Sequence, residues 1–192
     1  MDQKKIYILM GNPDTDTLSG EIATRYEQVS VAAGHEVRRT NISDLSFDPI
    51  LHLGYKVIQP LEQDLLLVQE NMKWADHFVL IYPLWWSSMP ALLKGMWDRM
   101  FIPGFAFKFY KDRIGWEKLL KGKTARVIVL SKTKPWQIRL LFGDPYNEIK
   151  HAILGFAGYR VSLTTIGNSE GLSTADKDSL MLRIGKLAKV AN

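Results

Sequence analysis

YPLWWSSMPALLKGMWDRMFIPGFAF, residues 82–107, is the stretch whose reading decides the architecture. The apolar run Phe78–Tyr82 leading into it is long enough for one buried strand and too short to span a membrane. Pro83 ends that strand, because proline has no N–H to give to a sheet ladder. Leu84, Trp85 and Trp86 follow, and then two small hydroxyl residues, Ser87 and Ser88. Pro90 suits the first turn of a helix, with Ser87 or Ser88 as N-cap. Leu92, Leu93, Met96, Trp97 and Met100 then recur at helical spacing until Ile102-Pro103-Gly104 stops the helix. The order is strand, aromatic loop, helix N-terminus, and the carboxyl end of a strand is where open α/β sheets bind ligands. The tryptophan pair reads either as core packing or as a flat platform at the surface, and its position just past a strand favours the platform.

Upstream, Lys4–Gly11 reads as a buried first strand. The loop Asn12-Pro13-Asp14-Thr15-Asp16-Thr17 follows, and then a helix with Leu18, Ile22, Tyr26, Val29 and Ala33 on one face and Gly34 past its end. A hydroxyl-rich loop before a helix N-terminus is a phosphate site by its chemistry, since free N–H groups and hydroxyls all donate to an anion. The same residues also suit an ordinary capping turn. Glu36–Ile42 is a polar second strand, expected at a sheet edge. Ser43–Pro60 has no periodicity. Leu61, Leu65, Val68, Met72 and Ala75 mark a helix returning to strand three, His77–Tyr82. Downstream, Thr124–Ser131 and Arg160–Ile166 read as strands four and five, with a helix over Asn147–Ala157 between them. Ser173-x-x-Asp176 opens a last helix as a capping box, with Leu180, Ile184, Leu187 and Ala191 on its apolar face. Strands alternating with helices predict an α/β fold, a parallel sheet covered on both faces within one domain, 1–192.

Composition bounds the function. Of 192 residues, 46% are apolar and 23% charged, which is ordinary for a globular domain, and there is no cysteine for disulfide or thiol chemistry. The start of the chain has no signal-peptide pattern and no apolar stretch reaches membrane-span length, so a cytoplasmic protein without membrane insertion is expected. A net charge of +5 comes from scattered lysines and arginines without a nucleic-acid motif, and attraction of an anionic nucleotide is the better use for it. His35, His52, His77 and His151 lack metal-ligand spacing, so no metal site is assigned. Asp98-Arg99, on the helix of the opening stretch, reads as a structural ion pair or surface contact.

The opening stretch resembles the signature of the NAD(P)H:quinone oxidoreductase family, flavodoxin-like flavoproteins of about this length, and FDPIL at Phe47–Leu51 extends the similarity. The resemblance implies a flavodoxin-like three-layer sandwich with a five-stranded parallel sheet of order 2-1-3-4-5. It implies FMN, with FAD as the alternative. It also implies NAD(P)H as electron donor, a quinone-like acceptor reduced by two electrons in a ping-pong scheme, and a homodimer, for which the aromatic segment Trp97–Phe109 is expected to be exposed. Alternatives are a non-catalytic ancillary subunit of the potassium-efflux type or an electron carrier. The family holds the flavin phosphate with a pattern like His-Pro…Ser-x-Asn. Asn12-Pro13 and Thr17-Leu18-Ser19 stand at the matching places, and Asp14 and Asp16 are expected to face solvent. Pro83, Leu84, Trp85 and Trp86 are expected at the ring, with the loop's backbone N–H groups on its polar edge.

After strand four the chain departs from the family. In place of a Thr-Thr-Gly-Gly loop followed by Tyr and His it has Ser131, Lys132, Thr133, Lys134, Pro135 and Trp136, with Phe142 near the His position. Neither Trp136 nor Phe142 exchanges a proton, so the family's Tyr–His pair has no counterpart at these positions. Ser131, Lys132, Thr133 and Trp136 remain candidate cofactor contacts, and Lys132, Lys134 or Arg139 candidate partners for an anionic reduced ring.

Overall fold

In the central strands both sets of alternating side chains are apolar, as a sheet buried on both faces requires. A computed structural model describes residues 2–57 and 59–192; Met1, and Ile58 within the expected irregular stretch Ser43–Pro60, lie outside it. The chain forms β1 (Lys5–Met10), α1 (Leu18–Ala32), β2 (Glu36–Asn41), α2 (Gln63–Trp74), β3 (His77–Pro83) and α3 (Ala91–Met100). These are followed by β4 (Phe107–Phe109), β5 (Trp116–Lys118), β6 (Thr124–Leu130), α4 (Pro135–Phe142), a π-helical segment Glu148–Gly155, β7 (Arg160–Ile166) and α5 (Thr174–Val190). β2-β1-β3-β6-β7 is a five-stranded sheet, and its four pairings are all parallel. This is the expected order, the fourth and fifth strands being β6 and β7 because the antiparallel pair β4–β5 intervenes as a separate hairpin.

Helices cover both faces. Tyr7 and Leu9 of β1, Phe78, Leu80 and Tyr82 of β3 and Val127 and Val129 of β6 pack under α2, α3 and the π-helical segment. Ile6, Ile8 and Met10, Val79 and Ile81, and Ile128 and Leu130 turn the other way, toward α1 and α5. α4 contributes no residue to either core. The polar strand β2 is at an edge, as expected. Half of the expected capping box forms: the Ser173 hydroxyl accepts the N–H of Asp176 at 3.2 Å, while the Asp176 carboxylate accepts that hydroxyl's proton at 2.6 Å in place of the Ser173 N–H.

Other elements depart from expectation. Pro83 is the last residue of β3 and is paired with Leu130, which a terminal strand position allows. The helix at Asn147–Ala157 is wound as a π-helix over Glu148–Gly155, a rare widening that is frequent at functional sites. Trp97 and Phe105 are buried in the core, Phe101 and Phe107 are half-buried and Phe109 is exposed, so the segment expected to be an open aromatic face is part core and part surface. Arg99 is buried and its partner is not its neighbour Asp98 but Glu62, bound at 2.9 Å and 3.1 Å. The same guanidinium donates to the carbonyls of Asp48 and of Pro60, so one side chain of α3 ties the irregular stretch down at two points. That stretch lies directly on α3, because a side chain at Gly95 would stand 2.5 Å from the Pro49 carbonyl oxygen. Asp98 pairs instead with Lys94, one helical turn back, at 2.7 Å.

Candidate functional site

Three loops leave the carboxyl ends of β1, β3 and β6, which are adjacent in the sheet. After β1 the loop folds upon itself. The buried Asn12 accepts the N–H of Asp14 at 3.2 Å and donates its amide to the Thr17 hydroxyl at 3.1 Å. Thr17 also donates to the Asp14 carbonyl, at 3.2 Å. Its hydroxyl is thereby committed to the loop, and α1 begins without a side-chain cap. The helix therefore keeps first-turn donors that are free of capping side chains, and its dipole favours an anion there. A side chain at Gly20 would come within 2.0 Å of the Thr15 carbonyl oxygen, so glycine lets the loop close over the first turn. Ser19 is buried at that turn, Leu18 half-buried, and Asp14 and Asp16 are exposed, the two carboxylates facing solvent as expected.

After β3 the chain turns back sharply rather than capping α3. Trp85 and Ser88 exchange both backbone hydrogen bonds, at 2.8 Å and 2.9 Å, with Trp86 at φ 50° and Ser87 at φ 60° between them. Two consecutive positive φ values make a tight turn of the type that asparagine and glycine normally fill. Trp86 is 101% exposed and Trp85 49% exposed. Pro90, not a serine, occupies the position before α3, and the Ser88 hydroxyl reaches Glu148 at 3.4 Å. Of the loop N–H groups expected at the ring's polar edge, Leu84 donates to the Leu130 carbonyl and Trp85 to Ser88, so among these three only Trp86 has no such bond.

After β6 the buried Ser131 donates its hydroxyl to the Thr133 carbonyl at 2.6 Å and its N–H to Ile166 at 2.8 Å. The stretch that stands in place of the family's Thr-Thr-Gly-Gly loop leads into α4, with exposed Trp136 in its first turn. Lys132 pairs with Glu170 in the loop after β7 at 3.0 Å, and Arg139 with Asp144 at 3.7 Å, which leaves Lys134 without an ion pair among the described residues. Asn12, Thr17, Leu18 and Ser19, then Pro83, Leu84, Trp85 and Trp86, and then Ser131 and Thr133 thus share one edge of the sheet. Lys132 leans toward β7, and Trp136 is on the helix beyond.

Beside the turn opens a cavity of about 760 Å³ that sequence reasoning missed. Its walls come from α3, the stretch 51–59, the base of the β4–β5 hairpin and the π-helical segment, with Tyr55, Trp97, Phe101, Phe107, Phe109 and Phe156 supplying most of the aromatic surface. Glu148, Ala152 and Ile153 of the π-helical segment, and Phe156 just past it, all face this wall. Lys94, Asp98 and Glu148 are its polar part, and the Ser88–Glu148 contact ties it to the Trp85–Ser88 turn. Behind Glu148, Tyr82 and Tyr146 are buried, and the Tyr146 hydroxyl has no partner. Burial pushes the Tyr82 phenol well up, and the Glu148 carboxylate adds to this, so the phenol stays protonated. Burial likewise raises the Tyr146 phenol, against the opposing Arg139. No sequence motif marks these residues, because they converge from three separate elements. Among the described residues no cluster of three His, Asp or Glu could hold a metal ion.

A family model described as flavodoxin-like fold matches residues 4–184. A ribosyldihydronicotinamide dehydrogenase-like protein of Penicillium crustosum is 29% identical over 188 residues, 82% of this chain and 70% of that one. An uncharacterized NAD(P)H oxidoreductase of Haemophilus influenzae is 34% identical over 53% of this chain. The chain spans about half the length of that relative (52%) and of the rat ribosyldihydronicotinamide dehydrogenase [quinone] (54%). Among solved structures, Smu.1420 of Streptococcus mutans superimposes with a TM-score of 0.81 at 28% identity, over 97% of this chain and 99% of that one.

Proposed function

The chain belongs to the flavodoxin-like fold family, and on that premise we propose that it is a flavin-dependent NAD(P)H oxidoreductase reducing a quinone or similar acceptor by two electrons. The observation that carries this reading is the junction of the uncapped start of α1 with the exposed indole turn on the neighbouring strand β3. A phosphate fits the first and a flat ring the second. Asn12, Thr17, Leu18 and Ser19 hold the cofactor phosphate. Pro83, Leu84, Trp85 and Trp86 bear on the ring, and Ser131, Lys132, Thr133 and Trp136 close its third side. The cofactor is FMN, with FAD as the alternative, and when bound it supplies the hydride chemistry. The nicotinamide nucleotide leaves before the acceptor takes its place. The apolar cavity beside the turn receives the acceptor, with Lys94, Asp98 and Glu148 as its polar lining and the protonated phenols of Tyr82 and Tyr146 behind Glu148. Two copies associate through the apolar rim of the cavity, where Tyr55, Val57 and Phe109 are more than half exposed.

The test is direct. The purified protein is expected to carry a visible flavin band, to bleach with NADPH or NADH, and to recover on addition of a quinone, with mass spectrometry of the released cofactor giving FMN. Absence of any flavin after reconstitution would overturn the reading. Flavin that neither nucleotide reduces would favour a carrier or an ancillary subunit.

A further inference from the structure

We propose that the cavity beside the Trp85–Ser88 turn selects its planar aromatic ligand by charge, the Glu148 carboxylate favouring cationic and uncharged rings and turning anionic ones away. The selection rests on the oxidoreductase reading, in which this cavity receives the acceptor, and it narrows the acceptor to rings without negative charge.

Four charged side chains line the cavity among the described residues: Lys94, Asp98, Arg99 and Glu148. Three of them are committed elsewhere. Both carboxylate oxygens of Asp98 accept the Lys94 ammonium, at 2.7 Å and 2.9 Å. Burial works against that ammonium, yet Asp98, with Glu148 adding, outweighs burial and holds it above the usual lysine range. The Arg99 guanidinium is closed on the Glu62 carboxylate and on the carbonyls of Asp48 and Pro60. Glu148 keeps only long contacts, to Lys94 at 4.0 Å and to the Ser88 hydroxyl at 3.4 Å. Lys94 cancels Asp98 and Arg99 cancels Glu62, so the charge of Glu148 is left unbalanced. Its field also reaches inward, adding to the burial that raises the Tyr82 phenol.

The rest of the wall strengthens the choice. It is largely aromatic, so a charge inside is screened less than in water. Aromatic faces carry negative potential and attract cations. An anionic ring entering the cavity loses hydration, finds Lys94 and Arg99 already engaged, and meets Glu148. A cationic ring meets Glu148 and the aromatic faces, both favourable, and an uncharged ring gains apolar burial alone. The net charge of +5 acts the opposite way at long range, so a preference for cations cannot come from the protein's overall charge.

The experiment measures equilibrium binding of three naphthoquinones that carry a trimethylammoniomethyl, a methyl or a sulfonate group on the same ring carbon. They are titrated into the full chain with the cofactor it carries and without nicotinamide nucleotide, and quenching of tryptophan emission reports binding. The cationic probe is expected to bind at least about tenfold more tightly than the sulfonate, a modest figure for unit charges several ångströms apart near a protein surface. Glu148→Gln is expected to bring the two within about threefold, and Glu148→Lys to invert their order. Lys94→Met leaves Asp98 unbalanced as well, so it is expected to widen the preference, a change that a misfolded variant cannot mimic. A sulfonate bound as tightly as the cation, a preference unchanged in Glu148→Gln, or no binding of any probe would each overturn the proposal. The readout needs no turnover. The expected ranking in a protein that holds no flavin would therefore support the charge selection and sink the oxidoreductase reading alone.

Discussion

Trp86 and Ser87, at φ 50° and φ 60°, are the one consecutive pair among the four described non-glycine residues with positive φ. A left-handed conformation at a non-glycine residue costs on the order of 1 kcal/mol or more. Ser87→Gly is therefore expected to raise stability by about 1 kcal/mol, read as a higher urea midpoint, while leaving cofactor affinity unchanged. Trp86→Gly relieves the same kind of tension, but it removes the fully exposed indole. A more stable protein with weaker flavin binding is expected, as measured by titrating the apoprotein. A variant at Trp86 that bound flavin as before would separate the turn from the ring. The tryptophans themselves were legible in the sequence as a surface platform, since they follow a strand end. The turn was not, because Trp-Ser at its centre gives none of the Asn-Gly signal that announces such a hairpin.

At the level of elements, the junction between α3 and the stretch leading to α2 depends on Arg99. Its side chain is wholly buried, and Glu62 opposite is one-third exposed. Burial works against the Glu62 carboxylate, yet its backbone hydrogen bonds and Arg99 outweigh burial and hold it below the usual range. Arg99→Ala would strand that carboxylate and free the carbonyls of Asp48 and Pro60. A loss of about 2–3 kcal/mol is expected once the partial exposure of Glu62 is allowed for, with faster amide exchange at residues 45–57. Arg99→Met with Glu62→Gln is expected to recover much of that loss, because no uncompensated charge remains. The helices α1, α3 and α5 could be read from the sequence because their apolar repeats match their burial, and β1 and β3 because each is an unbroken apolar run buried on both faces. α4 could not. Its leucines and phenylalanine point outward, so a rule that links apolar spacing to a core finds nothing there. Arg99 was legible as structural, but its partner, 37 residues away in sequence, was not.

For the whole molecule, the amino edge of the sheet sets the response to acid. His77, at the start of β3, is fully buried, contacts the Tyr26 hydroxyl at 3.2 Å and the Thr124 hydroxyl at 2.7 Å, and sits near Arg126, Lys4 and His35. Burial first, and then those cations, push its pKa from 6.5 down to about 3. Below pH 6.5 the unfolded chain takes up a proton that the native chain refuses, so this contribution to stability is complete above that pH and is lost as pH falls toward 3. A decline of up to about 1.4 kcal/mol per pH unit within that window is attributable to this residue. Subtracting the pH profile of His77→Asn from that of the parent isolates it from the carboxylates titrating nearby. A difference that stayed flat from pH 7 to pH 4 would show that the imidazole is not the acid-sensitive group. The sheet order was legible because right-handed crossovers leave few arrangements, but the cavity was not, because its wall is assembled from four separate segments. One of those segments, the β4–β5 hairpin, adds no strand to the main sheet and is anchored by the Trp116 indole stacked on Phe156 at 4.1 Å. Its length and tip can consequently drift over evolutionary time, or be exchanged in a graft, retuning which molecules the pocket admits while the scaffold beneath keeps its foldability.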